Sequence, residues 1–328
     1  MPHTLQETVT TKRLDFREVG LREGLQSHGL VVPTAQKVEY FARLKDAGAR
    51  ELNVVSFVHP RTMPQMADAE TFLRALGPLR EDTVLSGVVP NDKGLERAIA
   101  MRAEGLLDTI FLIFAESTST LAANRMTATH AELLAQIERG AARAAEAGLN
   151  VSVFVSAAYG CSIEGRIDPR RVVDHAARIW AMDGVGEIII SDSTGQADPL
   201  QVHELLTAAA TALPTDRRLG VHLHDTRGAG LANLFAALAS PFEHLVVDAA
   251  FGGWGGDWPF IPEAFGNVAT EDVVEMLIGM GFDPGIDVAA VMAVTKDYAN
   301  LSGRPIGAKL VDAEPIAWKR ERLVAARA

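Results

Sequence analysis

EIIISDSTGQADPLQVHELLTAAATALPTDRRLGVHLHD, residues 187–225, carries the reading of the fold. It opens on a β-branched run, EIIISD (187–192). An amphipathic stretch follows, started by Asp198 and Pro199, a capping residue with proline in the first turn. It closes on a second strand-like run, RLGVHLHD (218–225). Strand, helix, strand in this spacing calls for a parallel sheet with helices packed outside it.

Working outward, the alternation occurs eight times. The other expected strands are 14–21, 51–58, 82–89, 107–115, 150–159 and 244–252. Between them lie helical patterns such as TAQKVEYFARLKDAGA, where Val38, Phe41, Ala42 and Leu44 recur at helical spacing. Thr34, Asn91, Asp168 and Asp198 stand as caps. Eight βα units in about 270 residues match the size of a closed (β/α)8 TIM barrel. A doubly wound open sheet is the rival, but its phosphate-binding turn would read G-x-G-x-x-G, and the first turn here reads GLREGLQ. The expected architecture is therefore a single domain over 1–328, an α/β barrel over 14–283 and an additional C-terminal helical segment and tail over 284–328.

Composition bounds the function. The 31 Lys and Arg against 42 Asp and Glu give a net charge of −11, and no basic stripe is visible, so a nucleic-acid partner is not expected. No apolar run reaches the length of a membrane helix. The N-terminal segment lacks the apolar centre of a signal peptide. Cys161 is the sole cysteine, so no intrachain disulfide can form. The expectation is a cytoplasmic protein with no membrane partner.

In a TIM barrel the working residues gather at the C-terminal ends of the strands. That rule selects Arg22 and Glu23, Ser56 and Phe57, Asp192, His222 and His224, and Asn267. In VHLHD the two histidines lie two apart on one strand and face the same side, while Val221 and Leu223 face the helices. Two converging imidazoles are costly unless hydrogen-bonded or used, and a divalent cation is their commonest user. Nitrogen and oxygen donors without thiolates suit Mg²⁺, Mn²⁺ or Zn²⁺. Glu23 could ligate the metal and Arg22 could hold a developing oxyanion. Asp192 reads equally well as a cap for the next turn or as a partner orienting a ligand histidine. The loop FGGWGGDWPFIPEAFGN (251–267) has glycines that would let a lid move.

Seven ordered blocks, EVGLREGLQ (18–26), SFVHPRTMPQMAD (56–68), VVPNDKG (88–94), GCSIEGRI (160–167), SDSTG (191–195), HLHDTRGAGLAN (222–233) and GNVATEDVVEML (266–277), resemble 3-hydroxy-3-methylglutaryl-CoA lyase and its metal-dependent lyase and aldolase superfamily. The resemblance implies retro-Claisen cleavage of a 3-hydroxyacyl-CoA to a keto acid and acetyl-CoA or another acyl-CoA, with a divalent cation as the only cofactor. It places the family's arginine on Arg22, its histidine ligands on His222 and His224, its asparagine ligand on Asn267 and an acidic site residue on Asp192. Glu23 replaces an aspartate ligand. Asn53 replaces a glutamate on the second strand. The lid cysteine is missing, and Cys161 matches a different family cysteine. Asp257 lies in the right loop to donate the proton instead, as could a histidine beside the metal, such as His222, or water. The two tryptophans of the lid are expected to crowd the substrate's distal group, favouring another substrate such as citramalyl-CoA. An aldolase or synthase acting on a non-CoA keto acid is the second reading, and an inactive pseudo-lyase the third. A homodimer is expected.

Overall fold

The structure is a computed structural model that describes residues 9, 11–123, 129–256, 266–313, 315–317 and 319–321. Eight parallel strands close into a barrel: β1 (Arg13–Glu18), β2 (Glu51–Ser56), β3 (Val84–Val88), β4 (Thr109–Ala115), β5 (Asn150–Ser156), β6 (Val185–Asp192), β7 (Arg218–Leu223) and β8 (His244–Ala249). Each pairs with its neighbours in sequence, and β8 closes on β1 in the register Arg17↔Asp248. The expected (β/α)8 barrel is the observed one.

The helices that follow the strands are α1 (Thr34–Asp46), α2 (Ala69–Leu76), α3 (Asp92–Ala103), α4 (His130–Glu146), α5 (Pro169–Trp180), α6 (Pro199–Ala209), α7 (Gly230–Leu238) and α8 (Thr270–Gly279). Asn91, Asp168 and Asp198 cap α3, α5 and α6 by accepting backbone N–H groups. Each such cap is worth about 1 kcal/mol. Thr34 does not cap: it is the first residue of α1, and its hydroxyl donates to Asp68 at 2.6 Å.

Six expected strands overrun the observed ones at their C-terminal ends, those of β1, β2, β3, β5, β7 and β8. Residues 19–21 leave β1 for a π-helical turn, Gly20–Gly24. Gly20 is required there, because a Cβ would meet the Phe251 ring at 2.5 Å. β5 stops before Ala157, which has φ 54°, and β8 gives way to a 3-10 turn, Phe251–Gly253, with Gly252 at φ 68°. β7 ends at Leu223, one residue before His224. The chain thus bends away from the sheet at the edge where site residues belong, while its composition stays apolar.

Between sheet and helices lies the main core, which includes Val221 and Leu223 as their alternation predicts. A smaller cluster of Val88, Phe111, Phe154 and Ile189 fills the barrel itself. The C-terminal segment begins with α9 (Val288–Ser302), which packs on α1 and α8. It then returns over the β8–α8 loop, where Pro305 O accepts from Trp254 Nε1 at 2.9 Å and Gly307 N donates to Gly252 O at 2.9 Å. Among the described residues no helix is long and apolar enough to cross a membrane.

Candidate active site

The turn after β1 carries Arg22 and Glu23, both buried, toward the barrel axis. Arg22 is held at two points. Its Nε donates to Asn53 Oδ1 at 2.5 Å and its Nη2 lies 2.9 Å from Glu23 Oε2. Asn53 in turn donates to Ser86 Oγ at 3.1 Å. Asn53 therefore serves as the arginine's seat.

The other oxygen of Glu23 meets the histidines. Glu23 Oε1 is 3.1 Å from His224 Nε2 and 3.4 Å from His222 Nε2, and the two Nε2 atoms are 3.1 Å apart. The ligand atoms of these three buried residues all lie within 4.8 Å of one another. Burial alone would push the Glu23 carboxyl up. Arg22 and the two imidazoles outweigh it and hold the group well below the usual carboxylate range. His222 is opposed by its own burial, yet Glu23 and Asp248 push it up to about 9. Two imidazoles and a carboxylate crowded onto one point, with negative charge beneath them, are a group that could hold a metal ion.

Asn267 stands beside this group through a bridge to His224. Its Nδ2 donates to Trp254 O at 2.9 Å, and its buried Oδ1 has no partner among the described residues. A buried amide oxygen left unpaired costs on the order of 1–3 kcal/mol, and a hard divalent cation is a natural partner for it. The buried Ser56 hydroxyl is likewise unpartnered among the described residues. The donor set thus fits a divalent metal: two nitrogens and two oxygens, no thiolate.

Glu23, His222, His224 and Arg22 line a cavity of about 600 Å³. Polar groups on its other walls include Gln26, Arg61, Ser156 and Ser193, with Gly256 at the lid side. Asp192 is not in the group. Both of its oxygens accept backbone N–H, from Gln196 and Ala197, each at 3.0 Å. Of its two readings, the brace for the β6–α6 turn is the one its hydrogen bonds carry, and burial pushes its carboxyl up. Asp257 and Trp258 lie outside the described residues. The expectation for Trp254 is overturned: it is buried against Phe251 and Tyr298, bonds Pro305, and does not line the cavity. Cys161 lies in a two-residue antiparallel ladder, accepting from Ser117 Oγ at 3.0 Å, and also stays off the cavity wall.

Four functional neighbours escaped sequence reasoning. Asp248 accepts from His222 Nδ1 at 3.1 Å, and Arg17 holds Asp248. Glu18 accepts from Gly20 N and Phe251 N, and Glu271 from Gly252 N, which fixes the two turns that flank the site. Nothing in the local sequence distinguishes these acids from solvated ones.

The HMGL-like family profile matches residues 13–297. The chain belongs to that family. It is 36% identical over 311 residues to (R)-citramalyl-CoA lyase of Chloroflexus aurantiacus, covering 91% of this chain and 94% of the relative. It is 30% identical over 298 residues to a hydroxymethylglutaryl-CoA lyase of Bacillus subtilis, covering 90% and 95%. The solved structure of an HMG-CoA lyase from Acinetobacter baumannii, in complex with coenzyme A and 3-methylmalate, superposes with a TM-score of 0.80 at 30% identity, covering 97% of this chain and 98% of that one.

Proposed function

We propose that this member of the HMGL-like family is a divalent-metal-dependent carbon–carbon lyase that cleaves a 3-hydroxyacyl-CoA, with (R)-citramalyl-CoA as the first substrate to try. The observation that carries the reading is the convergence of Glu23, His222 and His224 on one point of the cavity wall, with Arg22 beside them. The (R)-citramalyl-CoA lyase likeness, which spans nearly the whole chain, supports the choice of substrate.

Glu23, His222, His224 and Asn267 would hold the cation, and their oxygen and nitrogen donors favour Mg²⁺ or Mn²⁺, with Zn²⁺ also accommodated. When bound, the cation supplies Lewis acidity to the substrate's hydroxyl and carboxyl oxygens. Cleavage removes the proton of the 3-hydroxyl and breaks the C2–C3 bond. Its electron pair passes to the thioester as an enolate, and C2 takes up a proton. The products are a keto acid and an acyl-CoA. Arg22 offers a fixed cation to the enolate oxygen, and a donor of this kind is worth about 10²–10³ in rate. Its two anchors keep it from swinging into Glu23 alone.

The proton for C2 needs a donor. Among the described residues on the cavity wall, the titratable groups are Arg22, Glu23, Arg61, His222 and His224. We assign the role to Asp257, which directly follows the wall residue Gly256. An Asp257→Ala variant with undiminished turnover would remove that assignment.

The test offers Mn²⁺-loaded protein (R)-citramalyl-CoA and hydroxymethylglutaryl-CoA, with the keto acid and acetyl-CoA read by mass spectrometry. Cleavage lost with EDTA and with His222→Ala supports the reading. Absence of cleavage of both by metal-loaded protein overturns it.

A further inference from the structure

Inside the barrel an arginine joins strands that are far apart in sequence. Arg17 on β1 is 2% exposed. Its Nη2 donates to both carboxylate oxygens of Glu187 on β6, at 2.8 and 2.7 Å, and its Nη1 donates to Asp248 Oδ1 on β8 at 3.1 Å. Its Nε lies 3.5 Å from Glu51 on β2. Ser152 on β5 donates to Glu187 at 2.7 Å, so the acid that grips Arg17 is itself fixed.

Two routes lead from Arg17 to His222. The first is ionic: Asp248 gives one oxygen to Arg17 and the other to His222 Nδ1 at 3.1 Å. With both oxygens engaged, the carboxylate has no freedom to rotate. It is an acceptor only, so His222 Nδ1 carries the hydrogen and Nε2 is the nitrogen presented to Glu23 and His224. The second route is aromatic. The Arg17 guanidinium lies 4.8 Å over the Phe111 ring. Phe111 meets Phe154 edge-on at 5.2 Å, and Phe154 meets His222 edge-on at 5.3 Å. His224 has no such support among the described residues, where its buried Nδ1 is without a hydrogen-bond partner.

We infer that Arg17 is a positioning residue for His222, setting the ring's tautomer through Asp248 and its plane through Phe111 and Phe154. The inference rests on the reading of His222 as a metal ligand given above. A ligand histidine whose far nitrogen is held in this way loses about 10–100-fold in metal affinity when the support is removed.

Two variants test it. Arg17→Met with Glu187→Gln removes one buried cation together with one buried anion, so no net charge is added to the interior. Asp248→Ala removes the acceptor itself and decides the matter should the double variant not fold. The readouts are the Mn²⁺ dissociation constant by calorimetry and the imidazole ¹⁵N spectrum of histidine-labelled, Zn²⁺-loaded protein. The expected result is a dissociation constant raised about 10–100-fold, with the His222 Nδ1–H signal lost or displaced and the His224 signals in place. A purely structural role would move both histidines together and would overturn the inference, as would a folded variant with unchanged affinity and an unchanged His222 signal. Failure of the wild-type protein to bind either metal would instead sink the functional reading. The ¹⁵N spectrum of the metal-free protein would then decide the positioning alone: a His222 Nδ1–H signal altered only in the variants upholds it, and an unaltered one removes it.

Discussion

The side-chain amide of Asn267 donates to the main-chain oxygen of Trp254 at 2.9 Å, which leaves Asn267 Oδ1 buried and without a partner among the described residues. The loop, not the asparagine itself, thus decides which end of the amide is left over. Asn267→Ala should weaken Mn²⁺ binding by at least the ~10–100-fold typical of a group one shell out from a metal, with little loss of melting temperature. Calorimetric titration checks it, and an unchanged affinity would remove Asn267 from the donor set.

Trp254 anchors that loop. It is buried, packs on Phe251 and Tyr298, and spends its indole N–H on Pro305 O. Trp254→Ala should cost about 3–5 kcal/mol, the range for deleting a large buried aromatic. Trp254→Phe keeps most of the packing and should cost about 1 kcal/mol for the lost hydrogen bond. Urea unfolding of both variants measures the two contributions.

Arg22 keeps its fork by dividing it between Asn53 and Glu23. Arg22→Lys preserves the charge and loses the planar geometry. The expected effect is a fall in kcat of about 10²–10³ with KM nearly unchanged, because the guanidinium acts on charge that develops only during cleavage. Steady-state kinetics with the cleaved thioester separates the two, and a rise in KM alone would show that Arg22 only binds substrate.

Glu18 and Glu271 give the protein a pH signature. Burial pushes Glu18 up to about 8 and Glu271 up to about 7, against their hydrogen bonds to Thr270, Gly20 and Gly252. In the unfolded chain both would titrate near 4.3. Between these values the folded protein holds protons that the unfolded one has released, so stability falls as pH rises. Their contribution is fully present below about pH 4 and is lost as pH climbs through 7 and 8. Melting temperatures from pH 5 to 9 should decline, and Glu18→Gln should flatten the decline. A wild-type curve that rises over that range would mean both groups are ionised in the fold.

Period and spacing make the barrel legible. Each βα unit carries its own signal, and VHLHD declares both histidines because a strand alternates faces with a period of two. Glu23 is found because it stands at a strand end. What stays hidden is whatever depends on neighbours across the barrel. Arg17 and Asp248 are 231 residues apart in sequence, yet the β1–β8 closure makes them register partners. A charged residue within a strand looks the same whether water or a buried partner receives it. Asp192 shows the opposite failure: its position fits either role, and only its bonds to Gln196 N and Ala197 N choose between them.

The grip of the C-terminal segment on the β8–α8 loop ties the timing of function to the direction of synthesis. A nascent chain that has released all eight strands already holds every strand of the barrel, with Glu23, His222 and His224 among its residues. It still lacks Pro305 and Gly307, which hold Trp254 and Gly252, and through Trp254 the amide of Asn267. Since folding follows emergence of the chain, the centre would assemble its histidines first and its asparagine last. Unfinished chains would then carry a fold without a competent site.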